Sequence, residues 1–106
     1  MTTTEYFEYL ERLRADAESA GVPAHLIDGI LLFIGSGHTP GSFLTAVLRN
    51  DLWESVARAD GRSREGLVEL VLFLYNSAPA PCWGTAARVT SWTADGGLYG
   101  RCVALD

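Results

Sequence analysis

The feature that most constrains this fold is the run LVELVLFLY, from Leu67 to Tyr75, in which Glu69 is the one charged residue. A helix that is apolar around its whole circumference is normally buried. A buried strand is the alternative for so short a run. The preceding RSREGLVEL favours a helix, and no strand pattern occurs elsewhere in the chain. The sequence therefore predicts a central apolar helix over about 63–77, against which the other helices pack.

Amphipathic patterns and helix-breaking residues predict the helices before it. A first helix covers about 4–19 and ends at Gly21, and Pro23 opens a second. A third begins at Ser42, after the breaker-rich stretch GSGHTPGS. Residues 42–59 form either one helix or two, and Asp51, which can cap a helix beginning there, favours two.

The end of the chain is less regular. A further helix is expected from Ala86 to about Thr93, followed by the turn residues DGG. These segments make an all-α fold, a compact bundle of five to six short helices in one domain over residues 1–95. The tail, residues 96–106, is a short strand, a coil packed back on the bundle, or frayed.

The segment NSAPAPCWGT, residues 76–85, has three interpretations: a loop displaying a reactive Cys82, half of a metal site, or a stiff elbow between helices. Ala78 and Ala80 each precede a proline, which disfavours helical backbone angles and ends the apolar helix. The elbow interpretation is favoured, with Trp83 folding back onto the bundle.

Charge limits the classes of partner. Eight arginines, no lysine and thirteen acidic residues give a net charge of −5, which argues against binding to nucleic acid. The start MTTTEYFEYLERLRAD has neither the basic opening nor the apolar segment of a signal peptide, and no run is long enough to cross a membrane. We therefore expect a cytoplasmic protein with reduced thiols, although a bridge between Cys82 and Cys102 is left open.

Candidate catalytic and metal-binding residues are few. Cys82 precedes a predicted helix, whose N-terminus could lower its pKa, but the only histidines are His25 and His38. These residues and Cys102 make four potential zinc ligands without the short spacing of a metal motif. We assign no catalytic residue, no metal site and no cofactor.

The loop over 35–42 supports an alternative function, a small-ligand or anion-binding protein or enzyme. It has the glycines and hydroxyls of an anion-binding loop and leads into a helix, but it lacks the lysine of a Walker loop. A pocket that joined His38, Ser42 and Cys82 would favour this alternative.

Five residues are candidate contacts for a partner. Tyr9 lies off the apolar stripe of its helix, and His38 lies in the predicted loop. Arg58, Arg62 and Arg64 surround the turn between the fourth and fifth predicted helices. Arginines at such a turn also fit a helix-turn-helix, so a DNA-associated regulator is a weaker alternative. A homodimer that buries exposed aromatic residues would also fit.

Two strings and a closing helix with Trp92 resemble a group of small uncharacterised proteins encoded by bacteriophages and prophages. The strings are PGSFLTAVLRNDLWESVARAD, residues 40–60, and LVLFLYNSAPAPCWGT, residues 70–85. The resemblance covers about two-thirds of the chain and implies a viral or mobile-element gene product that acts inside a bacterium. The expected function is a non-enzymatic accessory protein that binds a host or viral protein.

Overall fold

The computed structural model describes residues 1–103, and within them the fold is all-α, as predicted. These residues form eight α-helices without a strand: α1 Thr3–Ala20, α2 Ala24–Ser36, α3 Ser42–Leu48, α4 Leu52–Arg58, α5 Gly61–Glu65, α6 Leu67–Ser77, α7 Ala86–Ala94 and α8 Gly97–Cys102. A 3₁₀ turn, Ala80–Cys82, joins α6 to α7. None of the helices in this range has the length and hydropathy to cross a membrane.

The core lies around α2. Ile30, Phe33 and Ile34 are fully buried, and α2 packs against α1, α3 and α8. By contrast, α6 buries one side, with Leu70, Phe73 and Leu74, and packs mainly against α1. The prediction that the helix over 63–77 is the central, wholly buried one is therefore wrong, and α2 occupies that position.

Two local breaks and the terminal helix α8 account for the eight helices observed where five or six were expected. The favoured break within 42–59 is confirmed, because Asn50 has a positive φ of 61° and the Asp51 side chain accepts a hydrogen bond from the Glu54 N–H at 3.1 Å. The helix expected over 63–77 divides at Gly66 into α5 and α6. A Cβ at Gly66 would collide with the ring of Pro23, so this glycine allows the close approach of α6 to the start of α2.

The segment after α6 is a structural elbow. Cys82 is fully buried, and Trp83 is half-buried against the core. The Gly84 N–H donates to the carbonyl oxygen of Leu48 at 2.7 Å. This hydrogen bond ties the elbow to the end of α3, as the fold-back interpretation requires.

Residues 97–102 of the predicted tail form α8, an arrangement that was not among the three expected. Leu98 is buried, and the N-terminal ammonium of Met1 donates to the carbonyl oxygen of Cys102 at 2.7 Å. Gly37, at the end of α2, lies so close to α8 that a Cβ there would be 2.8 Å from the Gly97 nitrogen. The last three residues of that tail, 104–106, lie outside the described range.

Candidate interaction surface

Helix α4 has its apolar side in solvent. Leu52, Trp53 and Val56 are exposed, Trp53 to 82%, and we call these three side chains the α4 face. The buried side chain of this helix is Ser55, at 3% exposure. A helix on a protein surface normally buries its apolar side and exposes its polar one. The polarity of α4 is therefore the reverse of that expected for an isolated chain.

Polar contacts within α4 and its cap stabilise this helix. The Ser55 hydroxyl donates to the Asp51 carbonyl oxygen at 2.6 Å, Asp51 caps the helix, and Arg58 pairs with Glu54 at 2.7 Å. Packing against α3 orients the helix. Because none of these contacts uses the α4 face, its three side chains remain available to another molecule.

A second exposed apolar surface lies on α6. Val68, Val71, Leu72 and Tyr75 are all exposed, Tyr75 to 77%. Their spacing places them on one side of the helix, opposite the buried residues. We call these four side chains the α6 stripe. They present on the order of 500 Å² of side-chain surface, which is near the upper end for the largest apolar patch of a monomer.

A third apolar feature is a groove of about 420 Å³ between α1 and α2. Phe7 and Leu32 form its exposed walls, and Tyr6 lies at its base. An ion pair between Arg14 and Asp28, 2.7 Å apart, lies at the rim. Burial raises the pKa of Tyr6, which keeps this phenol neutral.

Two of the predicted contact residues differ in exposure: Tyr9 is partly covered, whereas the His38 side chain is open to solvent. Tyr9 is half-buried and packs against the core, with the Arg12 guanidinium 5.6 Å from its ring centroid. His38 is exposed, but its backbone N–H is engaged with the Leu32 carbonyl oxygen at 3.3 Å.

The predicted arginine cluster is exposed but largely compensated. Arg58 is paired with Glu54, and Arg64 donates to the Ala59 carbonyl oxygen at 3.3 Å. Arg62 lines a shallow hollow that it shares with Glu65 and Glu69. Acidic and basic groups therefore alternate here, and the local positive potential is small.

The loop over 35–42 is engaged in the fold itself. Gly37 ends α2 in the left-handed conformation, with φ of 73°. Its N–H donates to the Phe33 carbonyl oxygen at 2.9 Å, and the His38 N–H is also bound within the protein. The N–H groups of Gly37 and His38 are thus directed into α2.

The candidate nucleophile is not placed for catalysis. Burial raises the pKa of Cys82 to about 12, which keeps it a thiol at neutral pH. His38 and Ser42 are exposed whereas Cys82 is fully buried. Cys82 and Cys102 are both free in the structure. Across residues 1–103 no three His, Cys, Asp or Glu side chains are grouped so as to hold a metal ion.

Sequence reasoning missed the α4 face and the α6 stripe. The α6 residues were expected to be buried and the exposed side of α4 was not identified, because apolar periodicity identifies residues that share a side of a helix without stating what covers that side. Comparisons with protein-family models, with curated proteins and with solved structures give no match to this chain. The function is therefore argued from the surfaces themselves.

Proposed function

We propose that this chain is a non-enzymatic protein-binding module that inserts Trp53 into an apolar pocket of another protein. The observation that carries the proposal is the 82% exposure of Trp53 on a helix whose apolar side faces solvent. Tryptophan is enriched among the residues that dominate interface energies. Burying about 200 Å² of indole contributes on the order of 5 kcal/mol before the costs of association are subtracted.

The charges around Trp53 favour a partner with a basic rim. Asp51 and Asp60 bracket α4 and are exposed, and Arg58 is already paired with Glu54. The net charge of −5 also attracts a basic surface at long range. The resemblance to phage and prophage proteins makes a host or viral protein in the bacterial cytoplasm the proposed partner.

Protein is favoured over DNA as the partner because the outward side of α6 is apolar. As the longer helix after the arginine-rich turn, α6 would be the recognition helix of a helix-turn-helix. Its outward side carries Val68, Leu72 and Tyr75, whereas recognition helices present polar and basic side chains to base edges and phosphates.

The proposal is tested with tagged protein used to capture partners from bacterial lysate at low and high salt. Wild type and two variants, Trp53→Ser and Phe7→Ser, are compared. Phe7→Ser is the matched control, because it removes another exposed aromatic from a different surface, the α1–α2 groove. We expect a protein that is captured by wild type and Phe7→Ser and lost by Trp53→Ser.

Folding of both variants is checked first by circular dichroism, since both positions are solvent-exposed and substitution there should cost little stability. With the captured partner in hand, tryptophan emission should shift to shorter wavelength as Trp53 leaves water. Identical captured proteins for wild type and Trp53→Ser, or a loss confined to Phe7→Ser, would contradict the assignment to the α4 face.

A second candidate function is favoured by the α1–α2 groove, whose volume of about 420 Å³ lies within the range of small-molecule sites. Ser36, which belongs to the loop over 35–42, lines this groove. Its hydroxyl donates to the Leu32 carbonyl oxygen at 2.9 Å. An apolar ligand would fit the walls formed by Phe7 and Leu32. Saturable binding of anilinonaphthalene sulfonate that is lost in Leu32→Glu would support it, and binding unchanged in that variant would exclude the groove.

A further inference from the structure

We infer that two copies of this chain pair through the α6 stripe, with their α6 helices antiparallel. This inference is independent of the proposed function, which uses the α4 face. The stripe consists of Val68, Val71, Leu72 and Tyr75, at the spacing by which one helix presents a side to another. The opposite side of α6 already packs on the core.

The stripe is complementary to itself. About a two-fold axis that passes between positions 71 and 72, Val68 of one copy lies opposite Tyr75 of the other, and Val71 lies opposite Leu72. Each pair places a small side chain against a larger one, which lets both copies fill the same interface without a clash. A two-fold dimer uses the same patch on both subunits, so this internal match is what such an interface requires.

Charge does not oppose this pairing at short range. Each copy carries a net charge of −5, yet the four stripe residues are uncharged. Within α6 the one charged residue, Glu69, would lie opposite Leu74 of the second copy under the same two-fold relation, away from the second copy's own Glu69. Like charges therefore do not face each other at the centre of the interface, where they would prevent association.

The area sets the expected strength. With on the order of 500 Å² from each copy, the interface totals about 1,000 Å², the lower limit for a specific protein–protein contact. We therefore expect a concentration-dependent dimer in the micromolar range, with monomer and dimer exchanging.

The oligomeric state is measured by sedimentation equilibrium on the full chain from about 5 to 500 µM, which brackets a micromolar dissociation constant. Wild type should pass from monomer to dimer over this range, and Leu72→Glu should remain monomeric. The matched control is Leu32→Glu: Leu32 is 52% exposed and Leu72 is 51% exposed, but Leu32 lies in the α1–α2 groove. Leu32→Glu should dimerise like wild type.

The placement of positions 71 and 72 at the centre of the interface is tested by charge exchange at these two positions. A Val71→Glu, Leu72→Glu double variant and a Val71→Arg, Leu72→Arg double variant should each be monomeric, because like charges then meet across the axis. Mixed in equal amounts, they should form a heterodimer whose glutamates face arginines.

Three results would overturn the inference. The first is a wild type that stays monomeric over the whole concentration range. If Leu72→Glu then also failed to capture a lysate protein that wild type captures, the α6 stripe would be assigned to binding that protein. The second is a dimer that survives Leu72→Glu, which would place the interface elsewhere. The third is a pair of double variants that fail to associate on mixing, which would exclude this register.

Discussion

Replacing Trp92 with phenylalanine should destabilise the fold by about 3 kcal/mol. The substitution removes a hydrogen-bond donor, and buried carbonyl groups then lose that partner. The indole is 2% exposed. Its Nε1–H donates to the carbonyl oxygens of Phe33 and Ile34, each at 3.1 Å. These oxygens belong to the last turn of α2, where carbonyl groups lack partners within the helix. Trp92 therefore joins α7 to the end of the most buried helix.

The magnitude has two parts. Leaving a buried acceptor without its donor costs about 1–3 kcal/mol. Phe33 keeps a second donor in the Gly37 N–H, so Ile34 carries most of this cost. The smaller ring also leaves a void, which adds about 1 kcal/mol. Phenylalanine retains a ring face for the Arg101 guanidinium, now 4.6 Å from the indole centroid, so the contact with that cation is largely preserved.

Urea unfolding followed by far-ultraviolet circular dichroism measures this change without relying on tryptophan emission. Trp53→Phe is the matched control, because the same substitution at a side chain that is 82% exposed should change the unfolding free energy by less than about 0.5 kcal/mol. Trp83→Phe, at a half-buried position, should fall between them. A loss below about 1 kcal/mol for Trp92→Phe, or one equal to that of Trp53→Phe, would refute the hydrogen-bond argument.

The remaining predictions concern one turn and one thiol. Gly37→Ala should lower the melting temperature by about 5 °C or more, because φ is 73° and the new Cβ would be 2.8 Å from the Gly97 nitrogen. Gly41→Ala is the control and should not lower the melting temperature, since a Cβ there meets nothing within 4 Å. Equal melting temperatures for the two variants would contradict this prediction. Native protein at pH 8 should react with one equivalent of a thiol reagent, at the exposed Cys102, and unfolded protein with two; two fast equivalents in the native state would contradict the burial of Cys82. Burial raises the pKa of Cys82 from 9.0 to about 12, so the unfolded chain loses the thiol proton at a lower pH than the folded protein does. The unfolding free energy should therefore decrease as pH rises from 9 towards 12. In Cys82→Ala this decrease should be less steep.

The helix boundaries that depend on local chemistry could be predicted from the sequence. Gly21 ends α1, and Asp51 and Thr85 begin α4 and α7 with side chains that accept backbone hydrogen bonds. Capping residues act within three or four positions along the chain, so the sequence contains the whole interaction. The all-α fold follows from such short-range signals together with the apolar periodicity of each helix.

The boundaries that depend on distant residues were not predictable. The residue at the break between α5 and α6 must be a glycine because the ring of Pro23 occupies the place of a Cβ. Helix α8 begins where Gly97 meets Gly37, sixty positions earlier in the chain. A lone glycine within a helical pattern is tolerated in general, and its role here is set by a neighbour that the sequence does not place beside it.

The candidate surfaces follow the same division. Periodicity correctly groups the residues on each side of α4, but a seven-residue helix can turn either side towards the bundle. Here Ser55 is buried, and its hydroxyl returns to the Asp51 carbonyl oxygen, which leaves Leu52 and Trp53 outside. That orientation results from the packing of α3 and α4 as a pair, which the sequence of α4 alone does not determine.

The error over α6 has a different origin. The rule that a helix apolar all round is buried applies to the helix in the complete assembly and not only in the single chain. Any molecule that covers the apolar surface, including a second copy, removes the cost of exposing it to water. In the single chain, Val68, Leu72 and Tyr75 are exposed, so the rule fails for α6. In the antiparallel pair that we propose, these side chains would be covered, and α6 would be buried on two opposite sides, against its own core and against its second copy. The charge-exchange experiment at positions 71 and 72 therefore also decides whether the sequence rule failed or was applied to half of the assembly.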